Sequence, residues 1–289
     1  MFSLVLFFIG IGVVNSKISG IEYIPVFDNN PKANETTIQH DLDFITDSAN
    51  SVLIGYRTGY NATNMLDHFY KKNVDVYVEI SEHSFNEPNL KYLDNLEKLM
   101  SHKTFESVKG VILRYYDEEN YSNRILVDDI KSVKNRLKDV NSDIKVGINY
   151  WFNVGREYSQ YPSLKTVKNA FVGKEIGKSI DFLVLDALFD FSTIDPSFFI
   201  NNIYNKDLDE LLKLGIKVNI ATGILSKMVY HNQSINGILD ELNCKKTENL
   251  DYFIDLDRSS LFKDQELKTY KEIQKYVFDK TKCKNIVDN

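Results

Sequence analysis

Cysteine, histidine, tryptophan and proline are all scarce in this chain of 289 residues, which has two Cys, five His, one Trp and five Pro. Two cysteines and scattered histidines do not make the closely spaced ligand sets of a zinc site, so no metal is expected. An excess of positive charge is lacking too, since 35 Lys and Arg stand against 41 Asp and Glu for a net charge of -6. Nucleic acid and anionic membranes both reward clustered Lys and Arg, so neither is an expected partner. No Gly-rich loop follows the first strand-like run. Ile24-Pro25-Val26-Phe27-Asp28 offers nothing to cradle a dinucleotide, and no cofactor is expected. After the N-terminal segment, no apolar run reaches the roughly 18 residues that a membrane span needs.

What is present is apolar and aromatic material, 43% hydrophobic and 12% aromatic residues, enough for one large core. Met1 to Val14 is almost entirely apolar and ends in Val14-Asn15-Ser16 before Lys17. Small residues at Val14 and Ser16 suit signal peptidase, so residues 1–16 are expected to be a signal peptide and 17–289 a secreted, extracellular or cell-wall domain. Cys244 and Cys283 either form one disulfide in an oxidising compartment or remain two thiols, which sequence separation does not decide. Sequons begin at Asn34, Asn61, Asn120 and Asn232 and point to surface loops.

Strand-like and helix-like runs alternate along the whole mature chain. Strands are expected at Ile18–Pro25, Ser51–Arg57, Val74–Ile80, Val108–Tyr116, Asp143–Trp151, Ile180–Phe189, Lys217–Gly223 and Tyr252–Asp257. They are short, continuous and rich in Val, Ile and Tyr, as parallel strands buried on both faces are. Helical periodicity marks Thr37–Ser48, Thr63–Lys72, Leu90–Ser101, Ser122–Lys138, Ser197–Leu214 and Gln265–Asp279; Ile125, Leu126, Ile130, Val133 and Leu137 are one such stripe. About eight βα units without a linker or composition break predict a single-domain α/β fold, the (β/α)8 or TIM barrel.

Such a barrel gathers its site at the C-terminal ends of its strands. The residues there include Glu22, Tyr23, Tyr56, Glu79, Arg114, Tyr115, Tyr116, Glu118, Asn149, Tyr150, Trp151, Asp186, Ala221 and Asp257. Aromatic faces stack on sugar rings and carboxylates bond hydroxyls. A carbohydrate cleft is the natural expectation, with Tyr23, Tyr56, Tyr115, Tyr150, Trp151 and Asp186 as its binding residues. The bland alternative is that the aromatics close the barrel mouth and the acidic loops are solvated.

Several segments, in order, carry a resemblance. Gly20-Ile21-Glu22-Tyr23-Ile24-Pro25 looks like a Gly-Ile-x-Tyr-x-Pro opening strand, and Lys109-Gly110-Val111-Ile112-Leu113 looks like the strand leading into a Gly-Asn-Glu motif. Val218-Asn219-Ile220-Ala221-Thr222-Gly223 sits where a Glu-Thr-Gly-Trp-Pro segment belongs, and Leu239-Asp240-Glu241-Leu242-Asn243-Cys244 is similar to a late Asp-Glu-x-Gly-Cys motif. Together these resemble fungal glycoside hydrolase family 17, the β-1,3-glucanases and glucanosyltransferases. The resemblance implies a retaining mechanism with one glutamate as acid after the fourth strand and another as nucleophile after the seventh. The nucleophile position holds Ala221. The acid position falls on Tyr116 when counted without gaps from Gly110, and a shift of two residues puts Glu118 in that role.

The sequence therefore predicts a catalytically degenerate member that binds β-glucan or a related polysaccharide. One alternative is an active retaining glucanase or glucanosyltransferase with relocated carboxylates, Glu118 as acid and Glu79, Asp186 or Asp257 as the second group. Another is a structural or protein-binding coat component. Oligomeric state is not encoded in any feature above.

Overall fold

The apolar runs become eight parallel strands: β1 (Ile18–Ile24), β2 (Ala49–Tyr56), β3 (Asp75–Ile80), β4 (Gly110–Tyr115), β5 (Lys145–Asn153), β6 (Phe182–Leu188), β7 (Lys217–Thr222) and β8 (Leu250–Asp257). In this computed structural model each strand pairs with the next, and β8 returns to β1 to close the barrel. The structure describes residues 18–24, 35–56, 62–80, 91–115, 123–153, 163–188, 203–204, 206–222, 235–257, 271–279, 281 and 283. The helices between strands are α1 (Glu35–Ser48), α2 (Ala62–Lys71), α3 (Lys91–Met100), α4 (Asn123–Lys138), α5 (Leu164–Phe171), α6 (Glu175–Ser179), α7 (Lys206–Leu212) and α8 (Ile235–Lys245). The architecture is the (β/α)8 barrel that the alternation predicts.

The strands divide their side chains between two cores because neighbours along a strand face opposite ways. In β5, Val146, Ile148, Tyr150 and Phe152 point outward into the large layer shared with the helices. From α4, Val127, Ile130, Val133 and Leu137 return at helical spacing to meet that layer, while Lys131 and Arg136 stay exposed. Helix ends follow local chemistry. Ser163 caps α5 by accepting from the Thr166 backbone N–H, and Gly173, at φ 73°, supplies the left-handed residue just after that helix.

The second, smaller core lies inside the barrel and comprises Leu53, Ile112, Phe182, Val184, Ala221 and Phe253, with Tyr77 packed against it. Tyr77 meets Phe182 and Phe253 edge to face, with ring centroids 5.5 and 5.8 Å apart. Glycine makes room for these rings. A Cβ on Gly147 would lie 2.5 Å from a Phe182 carbon, and one on Gly20 would lie 2.5 Å from Phe253. Toward the N-terminal ends of the strands, Asp251 binds Lys217 at 3.2 Å and Lys246 at 3.3 Å, and Lys246 donates to Ser19 Oγ at 2.8 Å.

Cys244 at the end of α8 is bonded to Cys283, with Cα atoms 5.3 Å apart, so of the two open alternatives the disulfide is the one formed. Tyr276 supports the same tie, its hydroxyl donating to Asp240 Oδ1 at 2.9 Å and accepting from Asn243 at 3.2 Å. Among the described residues of the helix expected over Ser197–Leu214, Ile203 and α7 are helical. Among the described residues no helix is long and apolar enough to cross a membrane.

Candidate functional site

Inside the barrel, the side chains change character partway along the strands. On β3 the inward residue after Tyr77 is Glu79, on β4 the one after Ile112 is Arg114, on β5 the one after Gly147 is Asn149, and on β6 the one after Val184 is Asp186. An aromatic and aliphatic layer thus gives way to a polar one toward the C-terminal ends of the strands, where barrels of this type carry their chemistry.

These four side chains form one network. Arg114 Nη1 lies 3.1 Å from Glu79 Oε1, and Nη2 lies 3.9 Å from Asp186 Oδ2. Asn149 Nδ2 donates to the other oxygen of Glu79 at 2.6 Å. Depth differs along the network. The side chains of Arg114 and Glu79 are 3% and 2% exposed and Asn149 is fully buried, while Asp186 is 16% exposed. Burying an Arg with two carboxylates costs desolvation, which only close pairing and further hydrogen bonds offset. The fork of the guanidinium can serve two carboxylates at once, as a lysine ammonium does less well. Asn149 Oδ1 is buried and has no hydrogen-bond partner. Glu22 is also buried, two residues beyond inward-facing Gly20 on β1.

Small residues border the network. Gly55 on β2 is the register partner of Glu79, and Ala221 on β7 is the register partner of Asp186. Ala221 is fully buried in the inner core. Below this level the Tyr77 hydroxyl is pushed up to about 12, first by burial and then by the negative charges of Asp75 and Asp251. It stays protonated through the physiological range. Among the described residues no group of three or more His, Cys, Asp or Glu is arranged to hold a metal.

No family model matches the chain, and no curated protein does either. Solved structures do. The barrel is similar to that of a glycoside hydrolase family 17 β-1,3-glucanosyltransferase from Rhizomucor miehei. The TM-score is 0.56 at 17% identity, over 82% of this chain and 86% of that one. An active-site mutant of the Rhizomucor miehei enzyme, in complex with laminaritriose, matches with a TM-score of 0.55 at 17% identity over the same shares. A glucosidase from Croceicoccus marinus matches with a TM-score of 0.51 at 13% identity, over 84% of this chain and 60% of that one. At such identities the likeness is one of fold.

Two of the expected binding residues are corrected by this geometry. Tyr23 is fully buried and its hydroxyl donates to Asp41 Oδ2 on α1 at 3.1 Å, so it faces the helix layer. Tyr150 is buried in the same layer, edge-on to Phe171 of α5 with centroids 5.7 Å apart. Both sit one residue away from an inward position, Glu22 and Asn149, and that single step turns them to the other face. Asp186 does reach the barrel interior. The backbones of Tyr56, Tyr115 and Trp151 lie in β2, β4 and β5, with Trp151 opposite Asp186 in register, but their side chains fall outside the described residues. Tyr116 and Glu118 lie wholly outside them. In the sequence Glu79, Arg114 and Asn149 stand only as separate strand-end residues. The signal that joins them is the inward parity marked by Gly110 and Gly147.

Proposed function

We propose that this protein is a secreted, glucanase-like barrel of a cell wall or extracellular coat that binds a β-glucan-type polysaccharide without cleaving it. The observation that carries the reading is Ala221, which occupies the inward position of β7, fully buried and in register with Asp186. By the family 17 resemblance this is where the nucleophilic glutamate belongs, and a methyl group can neither attack an anomeric carbon nor stabilise an oxocarbenium ion. The Rhizomucor miehei structure with laminaritriose supports β-1,3-glucan as the first ligand to try.

A second reading, an active retaining glycosidase with relocated carboxylates, draws on Glu79 and Asp186, which both lie in the polar layer. They are joined to one guanidinium, at 3.1 and 3.9 Å. A carboxylate held that way is a poorer nucleophile, which favours the binding reading.

The test is a paired assay on the purified protein. Retention on insoluble β-1,3-glucan with no release of reducing ends from laminarin is the expected result. Hydrolysis that disappears in Glu118→Gln would establish the glycosidase instead. Failure to bind β-glucan, chitin or any related polymer would leave a structural coat component.

A further inference from the structure

Among the described residues, asparagine stands directly before glycine or serine at Asn50-Ser51, Asn141-Ser142 and Asn236-Gly237. At such pairs an asparagine side chain can react with the backbone, because a small following residue lets its nitrogen approach the side-chain carbonyl carbon. The fold treats the three pairs differently. Asn141 is held at both ends of its amide, Nδ2 donating to the Glu106 carbonyl at 2.8 Å and Oδ1 accepting from the Asp143 backbone N–H at 2.9 Å. Asn50 lies in β2, where Ser51 is in register with Gly20 on one side and Asp75 on the other, so the backbone between them is fixed. Asn236 is exposed and is the second residue of α8. The first four N–H groups of a helix have no partner within it, and Gly237 carries the third of them. Gly237 is exposed as well, and a Cβ built on it would meet nothing within 4 Å. Helix ends fray, and the buried anchors of α8 begin only with Ile238 and Leu239.

We infer that Asn236 is a site of spontaneous deamidation, a covalent modification that the fold leaves open at Asn236-Gly237 and closes at Asn50 and Asn141. A solvent base takes the proton of the Gly237 N–H, and the nitrogen attacks Asn236 Cγ. The Cγ–Nδ2 bond breaks, Nδ2 takes a proton from solvent and leaves as ammonia, and a cyclic succinimide remains. Water then opens the ring, at Cγ to give aspartate or at the backbone carbonyl carbon to give isoaspartate. The net change is one water in and one ammonia out. Aspartate places a negative charge in the first turn of a helix, where the dipole favours it. Isoaspartate inserts an extra carbon into the backbone, which the helical repeat does not accommodate, so the first turn opens. The opening stops near Ile238. From there α8 is held by buried Leu239 and Leu242, by the bond from Tyr276 to Asp240, and by the Cys244–Cys283 bridge.

Mass-spectrometric peptide mapping of the full chain, aged in mildly alkaline buffer with and without urea, tests this. In the folded protein Asn236 is expected to gain about 1 Da as its amide becomes an acid, with isoaspartate and aspartate separated by chromatography, while Asn50 and Asn141 stay unmodified. In urea Asn50 and Asn141 should begin to convert as well, because their protection belongs to the fold. Gly237→Ala puts its methyl into open space and is therefore expected to fold. It should slow the conversion several-fold, since the added Cβ hinders the approach of the nitrogen. Amide exchange of the aged protein should show lost protection confined to the start of α8, with Leu239 and Leu242 still protected. Asn236 unmodified in the folded chain after the time that converts it fully in urea overturns the inference. So does conversion of Asn141 in the folded chain at the rate of Asn236, which would show that the fold does not select the site.

Discussion

Removing the Cys244–Cys283 bond is expected to destabilise the barrel by an amount set mainly by chain topology. The bridge spans a sequence separation of 39 residues. In the chain-entropy model, closing a loop of that size in the unfolded ensemble is worth about 4 kcal/mol near 25 °C. For a domain of this size each 1 kcal/mol moves the melting temperature by about 2–4 °C, so the double variant Cys244→Ala/Cys283→Ala should melt roughly 10 °C lower. The folded-state contacts that the segment keeps, Tyr276 with Asp240 and Asn243, limit any further loss from fraying of the C-terminal end. Calorimetric melting of the oxidised protein and the double variant under identical conditions makes the comparison. Wild type in reductant should follow the variant. A variant that melts within about 2 °C of wild type would refute the entropic reasoning, because the bond would then be constraining the unfolded chain far less than loop closure requires.

Two further outcomes follow from packing and charge inside the barrel. Gly147→Ala would place its Cβ 2.5 Å from Phe182, so a loss of about 1–3 kcal/mol is expected in urea unfolding, and adding Phe182→Leu should return part of it. Burial pushes the Asp251 carboxyl up, but the Ser19 bond and the Lys217 and Lys246 ammoniums outweigh it, and the group titrates below its ordinary 3.8. A depressed carboxyl contributes stability above its unfolded value and loses it as pH falls through the folded one. Melting scans should therefore steepen in their decline below about pH 4 and decline less in Asp251→Asn, whereas equal slopes would show that the carboxylate contributes nothing.

All eight expected strands overlap the observed ones, and for one physical reason. A parallel strand covered on both faces cannot alternate, so it reads as a continuous run such as Val111-Ile112-Leu113 or Phe182-Leu183-Val184-Leu185. Helices α5 and α6 are harder to see because they are short, at 8 and 5 residues, and offer too few turns for a stripe to declare itself. The site was legible in residue types but not in direction. Continuous apolar strands hide which residues face inward, and that is why Tyr23 and Tyr150 were expected in the cleft while Glu22 and Asn149 hold the inward places. Glycine resolves the ambiguity. Gly20, Gly110 and Gly147 are small because rings occupy the barrel axis beside them, so every second residue after each belongs to the interior. Counting from Gly110 and Gly147 reaches Arg114 and Asn149 directly.

The same count bears on how the proposed loss of catalysis relates to the arginine. A retaining pair needs two carboxyl groups roughly 5 Å apart with one free to attack. Had β7 carried a glutamate at 221, it would face the interior in register with Asp186, and two carboxylates would share a largely buried space. Such a cluster raises the cost of keeping each one ionised. With alanine there, Arg114 lies against two carboxylates, Glu79 at 3.1 Å and Asp186 at 3.9 Å. On the proposed reading, Ala221 removes the attacking group, and Arg114 ties Glu79 and Asp186 to one guanidinium.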